Sequence, residues 1–115
     1  MELYLDSANL KEIEQAFELG FLTGLTTTPT FMHREGIDDV DSMILKLADI
    51  VPILQIEALG ETAEEIYAEA RRQLDMGLDI NKTVFKIPVS LEGVKACRML
   101  RSEGMMVNVH LVYTL

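Results

Sequence analysis

The sequence has no tryptophan, one cysteine, three prolines and only 6% aromatic residues. The lone Cys97 excludes an intrachain disulfide framework and fits a reducing compartment, so a cytoplasmic location is expected. With so few aromatics, a core has to be assembled from Leu, Ile, Val, Met and Ala. No apolar run approaches the roughly 20 residues of a membrane-spanning helix, and no membrane partner is expected. The opening Met1-Glu2-Leu3-Tyr4-Leu5-Asp6 lacks the basic segment of a secretory signal and is expected not to be one. Glycine-rich phosphate loops of the Walker or dinucleotide type are absent. Basic residues are in the minority, 10 against 19 acidic ones, for a net charge of -9. That balance argues against a general nucleic-acid-binding surface, because phosphates would be repelled. It leaves room for a phosphorylated small molecule, since a few lysines and arginines in a cleft outweigh the average charge locally. His33 and His110 lack metal-ligand spacing, so no metal is expected. The methionines Met32, Met43, Met76, Met99, Met105 and Met106 read as core and loop filler rather than a cofactor site.

What is present is regular. The chain of 115 residues is 49% hydrophobic and 25% charged, which suits one globular domain at most. No linker or low-complexity segment interrupts it. Short β-type runs at residues 2–6, 24–28, 53–58, 83–89 and 107–113 alternate with stretches whose apolar residues recur every three or four positions. Leu10, Ile13 and Phe17 form one helical stripe, stopped near Gly20. Val40, Ile44 and Leu47 form a second. Thr62-Ala63-Glu64-Glu65 reads as a capping box, with Thr62 and Glu65 satisfying each other's free backbone donors. Ile66, Ala70 and Leu74 follow as the third stripe, closed by Gly77. The fourth helix starts near Ser90, carries Val94, Cys97 and Leu100, and ends at Gly104. Strict β-α alternation predicts a parallel sheet with right-handed crossovers.

Two parallel architectures compete, and side-chain alternation separates them. A doubly wound sheet buries both strand faces behind helices, so both should be apolar. Here each strand keeps its polar residues on one face: Asp6 in the first, Thr26 and Thr28 in the second, Gln55 and Glu57 in the third, Lys86 in the fourth, Asn108 and His110 in the fifth. They gather toward the C-terminal ends of the strands. In a closed barrel such residues converge at the mouth, where active sites of that fold lie. The predicted fold is therefore α/β, a partial TIM (β/α)8 barrel: about the first five strands with four intervening helices.

Lys86 stands out, between Phe85 and Ile87 in mid-strand. Burying a lysine is costly unless it is paired. One reading is an edge strand whose ammonium snorkels to water, which Pro88 would suit. The other is a desolvated amine of lowered pKa, nucleophilic toward a carbonyl carbon. Asp6 and Glu57 on the same face supply carboxylates that such an amine could use. Asp6 could instead cap the first helix, and Glu57 could be no more than an ion-pair partner for Lys86.

Together these segments resemble the transaldolase family, in particular its short branch that includes the fructose-6-phosphate aldolases. Leu3-Tyr4-Leu5-Asp6-Ser7-Ala8 resembles that family's first strand with its catalytic aspartate. Gly24-Leu25-Thr26-Thr27-Thr28-Pro29-Thr30 resembles its second-strand signature. Val84-Phe85-Lys86-Ile87-Pro88-Val89-Ser90, followed by Glu92-Gly93, resembles the strand carrying the Schiff-base lysine. Glu103-Gly104 and Val107-Asn108-Val109 resemble the approach to the fifth strand. The resemblance implies a cofactor-independent transfer of a dihydroxyacetone unit between sugar phosphates, as in the pentose phosphate pathway. It implies Lys86 as the imine-forming lysine, Asp6 as acid/base at the C4 hydroxyl, and Glu57 acting through a water on proton transfers at the lysine. It implies Asn108 as the residue orienting the dihydroxyacetone unit, with Thr26, Thr28 and His110 also at the substrate. Glu57 falls where transaldolases carry glutamate and the aldolase branch glutamine. Two positions depart: the family usually has asparagine at Thr28 and threonine at His110, and both changes bear on substrate preference.

A closed eight-stranded barrel takes about 200 residues or more. Residues 1–115 are accordingly expected to be the N-terminal part of a single barrel domain, truncated after strand five, with little activity alone. Open sheet edges then predict a homo-oligomer. The alternatives are an aldolase-type lyase releasing free dihydroxyacetone, and an inactive half-barrel that only associates.

Overall fold

The computed structural model of the chain describes residues 2–110. Five parallel strands, β1 (Tyr4–Asp6), β2 (Gly24–Thr27), β3 (Leu54–Glu57), β4 (Thr83–Pro88) and β5 (Met106–His110), pair in sequence order. Between them run α1 (Leu10–Phe17), α2 (Pro29–Arg34), α3 (Val40–Ile50), α4 (Ala63–Asp75) and α5 (Leu91–Ser102). Consecutive parallel strands joined by helices are the arrangement of a partial (β/α)8 barrel. Residues 111–113 of the fifth predicted strand lie outside the described residues.

One strand face is the core. Leu25, Leu54, Ile56, Phe85 and Ile87 are at most 2% exposed and meet Ile13, Leu47, Ile66, Ala70 and Leu100 from the helices. Each such large apolar side chain contributes about 1.5–3 kcal/mol on burial, so this layer fixes which face the polar residues must take.

Each long helix begins at a side-chain cap, and the starts expected at Thr62 and near Ser90 are among them. Asn9, Asp39, Thr62 and Ser90 accept from the backbone N–H three residues on, in α1, α3, α4 and α5 respectively. Asn9 caps α1, which removes capping as an explanation of Asp6.

Three expectations need correction. Five helices, not four, intervene. The extra one, α2, is six residues long and starts on Thr28-Pro29, a cap followed by proline at the first helical position. The capping box is only half reciprocal: Glu65 N–H donates to Thr62 Oγ1 at 3.2 Å, but the Glu65 carboxylate accepts from Glu61 N–H at 2.8 Å rather than from Thr62. In α5 the buried stripe is Gly93, Ala96 and Leu100, and Val94 is 53% exposed. Close packing explains this, because a Cβ on Gly93 would collide with the carbonyl oxygen of Pro88. Only the smallest residue lets α5 sit directly on the end of β4.

Candidate active site

The ladder register places the polar residues in cross-strand rows. Asp6 pairs with Thr26, Thr26 with Gln55, and Gln55 with Val84. Two residues further on, Glu57 pairs with Lys86 and Lys86 with Asn108. Beyond them Pro88 pairs with His110. Residues two apart share a face, so Asp6, Thr26, Gln55, Glu57, Lys86, Asn108 and His110 all lie opposite the helix-covered core.

Lys86 is therefore flanked by Glu57 on one side and Asn108 on the other, with both neighbours a strand spacing of about 4.8 Å away. β4 is an inner strand, so Lys86 is not at a sheet edge. Its flanking core residues Phe85 and Ile87 are fully buried while Lys86 is half-buried. Among the described residues Lys86 joins none of the five ion pairs, which involve Arg71, Arg72 and Lys95. Glu57 does not neutralise it despite direct pairing. A simple structural salt bridge is thus absent where it would be easiest to form.

Asn108 Nδ2 donates to Gln55 Oε1 at 3.2 Å, across the intervening β4. Gln55 was not singled out from the sequence as a site residue. Its place on the polar face was the available signal; its partner, on a non-adjacent strand, was not.

The second-strand threonines differ. Thr28 Oγ1 accepts from Phe31 N–H at 3.2 Å as the cap of α2, so its oxygen is already engaged. Thr26 Oγ1 is buried with no partner among the described residues, and so is His110 Nε2. Unpaired buried polar atoms are uncommon and mark places where a further group is accommodated or strain is held. These two lie on the face of Lys86; Thr27 Oγ1 and Gln73 Oε1, also buried without a partner among the described residues, lie on the helix side.

Asp6 is not brought to Lys86 by direct pairing. Three strand spacings, roughly 14 Å along a flat sheet, separate β1 from β4. Curvature of a barrel shortens that path across its interior. Asp6 is exposed and borders a cavity of about 220 Å³ with Ser7, Arg34 and Glu35. A more apolar cavity, of about 120 Å³, lies among Thr27, Ile44, Ile56, Arg72 and Gln73, toward the helices. Lys86 borders neither of these two.

Among the described residues, no helix is long and apolar enough to cross a membrane. A family profile described as transaldolase/fructose-6-phosphate aldolase matches residues 3–115. The chain is 35% identical over 121 residues to a probable transaldolase 2 of Bacillus anthracis, covering 99% of the chain and 53% of that protein. It is 40% identical over 116 residues to a probable transaldolase of Streptococcus equi subsp. equi, covering 99% of the chain and 52% of that protein. A probable transaldolase of Syntrophobacter fumaroxidans is 36% identical over 118 residues, with 99% and 52% covered. The chain spans about half the length of these curated relatives.

Proposed function

The chain belongs to the transaldolase/fructose-6-phosphate aldolase family, and from that premise we propose that it carries the imine-forming half of a dihydroxyacetone-transferring site. The observation that supports this most directly is Lys86, un-ion-paired among the described residues between Glu57 and Asn108 on the polar face of a sheet whose other face carries the buried apolar core.

In this reading the Lys86 amine adds to the C2 carbonyl of a ketose phosphate and loses water, leaving a protonated imine. Asp6 takes the C4 hydroxyl proton, the C3–C4 bond breaks, and its electrons pass to the imine as an enamine. The aldehyde fragment leaves. The enamine carbon then attacks the carbonyl of an aldose phosphate, and hydrolysis frees Lys86. Glu57 moves protons at the lysine nitrogen through a water, and Asn108, held by Gln55, orients the three-carbon unit. Thr26 and His110 offer unpaired polar atoms to the same space. No step calls for a cofactor. Glutamate at position 57, rather than glutamine, favours transfer over release of free dihydroxyacetone.

The 115 residues are, in the same proposal, the N-terminal part of a single barrel domain acting in cytoplasmic sugar-phosphate metabolism. β1 and β5 are the outer strands of the described sheet, and copies of the chain associate through them. Sedimentation velocity giving a compact monomer at all concentrations would remove the association.

Borohydride trapping with fructose 6-phosphate tests the chemistry. A covalent adduct localised to Lys86 by mass spectrometry, and lost in Lys86→Ala, is the expected result for a protein that contains the whole site. For this chain alone the expected yield is low, because it spans about half the length of its curated relatives. An adduct that persists in Lys86→Ala contradicts the assignment.

A further inference from the structure

Gln73 occupies a position where the sequence pattern asks for an apolar residue. It continues the buried stripe Ala63, Ile66, Ala70 of α4 and is only 5% exposed. Burying a primary amide is unfavourable unless it is hydrogen-bonded, so a glutamine there needs a reason. Its Nε2 donates to the carbonyl oxygen of Glu57 at 3.1 Å and to Glu69 Oε1 at 3.2 Å. Both partners are pure acceptors, which settles which end of the amide carries the nitrogen. Glu69 is itself clamped by Arg72, at 2.9 Å from Nε and 2.7 Å from Nη2. Arg72 also reaches Asp41 of α3 at 2.8 Å.

The Glu57 carbonyl needs this donor because the neighbouring strand cannot supply one. Leu25 N–H bonds to Ile53 C=O at 2.8 Å. A parallel ladder advances two residues per bond on each strand. β2 ends at Thr27, and continuing that spacing past it reaches Pro29, the first residue of α2, which has no N–H. Gln73 fills that gap from the helix layer. The other end of the same peptide unit, Ala58 N–H, donates to Lys86 C=O at 3.2 Å. One peptide plane, joining Glu57 to Ala58, is thus held by Gln73 at its oxygen and by the backbone of Lys86 at its nitrogen.

We propose that Gln73 is a positioning residue that fixes the Glu57–Ala58 peptide and thereby sets the Glu57 carboxylate beside the Lys86 amine. The inference rests on the reading that these two groups act together. It extends that reading to a helix residue on the far side of the sheet.

The test uses the full chain with Gln73→Leu and Gln73→Met, the second retaining an unbranched side chain in case the first does not fold. Thr83→Val, which removes a buried hydroxyl at the opposite end of β4, serves as a stability-matched control. Two readouts are taken by NMR: exchange of the Ala58 amide, and the NOE between the Glu57 and Lys86 side chains. In the Gln73 variants the Ala58 amide is expected to exchange about tenfold faster. The NOE between the two side chains is expected to weaken in the Gln73 variants, with Thr83→Val leaving it in place. An unchanged NOE in a folded Gln73 variant, or an equal weakening in Thr83→Val, overturns the proposal. Because neither readout needs turnover, failure of Lys86 to form an imine would count against the proposed reaction and not against this role of Gln73.

Discussion

Asn108 and Gln55 lie 53 positions apart, on strands that are not neighbours, and are joined by a hydrogen bond of 3.2 Å that passes over β4. The bond ties the outer strand of the described sheet to its middle strand. It also orients the carboxamide standing directly beside Lys86.

Gln55→Leu should therefore free the Asn108 side chain without disturbing the core, since Gln55 is half-buried on the opposite face. Loss of one such bond is worth about 0.5–1.5 kcal/mol, a factor of roughly 2–10. The expected result is a rise of that size in the half-saturating concentration of fructose 6-phosphate in imine trapping, with the maximal rate little changed. An unchanged concentration dependence would separate Asn108 from substrate orientation.

Glu92 links the starts of two helices. It accepts from Ala63 N–H at 3.2 Å and pairs with Lys95 at 3.1 Å. The Ala63 N–H, and then Lys95, hold its carboxyl below the usual carboxylate range. A depressed folded-state pKa gives stability that is present above the unfolded value and is lost as pH falls through the folded one. Urea midpoints of the wild type should therefore fall on acidification from about pH 5 toward pH 3, starting near the ordinary glutamate value. Glu92→Gln should flatten part of that limb. Identical acid limbs would contradict the linkage.

Gly93→Ala introduces a methyl against the carbonyl oxygen of Pro88. The neighbour is backbone and cannot turn aside, so α5 must lift from the end of β4. Overpacking of this kind costs about 1–3 kcal/mol. At about 4–8 °C per kcal/mol for a small domain, a melting curve should register it clearly. A Tm within 1–2 °C of wild type, roughly the effect of a few tenths of a kcal/mol, would mean that the helix yields freely.

Cys97 is half-buried in α5, and burial pushes its thiol up from the ordinary value. Because the thiolate is the reactive form, its reaction with Ellman's reagent at pH 8 should be slower than that of an exposed thiol. Urea concentrations that unfold the chain should restore the ordinary rate. A native rate matching the unfolded one would place the thiol in open solvent.

Much of this molecule is legible in one dimension because backbone geometry imposes it. Strand alternation has a period of two, so residues sharing a face with Lys86 could be read before any fold was known; the ladder register bears this out for Asp6, Thr26, Gln55, Glu57, Asn108 and His110, whereas Thr28 lies outside the ladder and Thr27 and Thr83 are polar residues on the buried face. The helix starts at Thr62 and Ser90 are legible for a like reason, as local chemistry within a single turn. Reading was weaker where size matters more than hydrophobicity. Gly93 and Ala96 form the buried stripe of α5 because the helix approaches β4 closely, whereas Val94 looked apolar enough and lies outside. The six-residue α2 escaped notice because its length leaves no periodicity to detect.

The sequence by itself determined the strand order of polar and apolar residues, the helix starts at Thr62 and Ser90 and the isolation of one lysine in an apolar run. Only the tertiary structure decided that among the described residues Lys86 stands un-ion-paired between Glu57 and Asn108, that Gln55 holds Asn108, and that Gln73 donates to the Glu57 carbonyl. Those relationships span 16 to 53 positions and two or three separate elements. They exist only once the sheet has brought its strands into register and the helices have packed behind it, because a hydrogen bond needs its partners within about 3 Å, a condition that residue spacing along the chain does not encode.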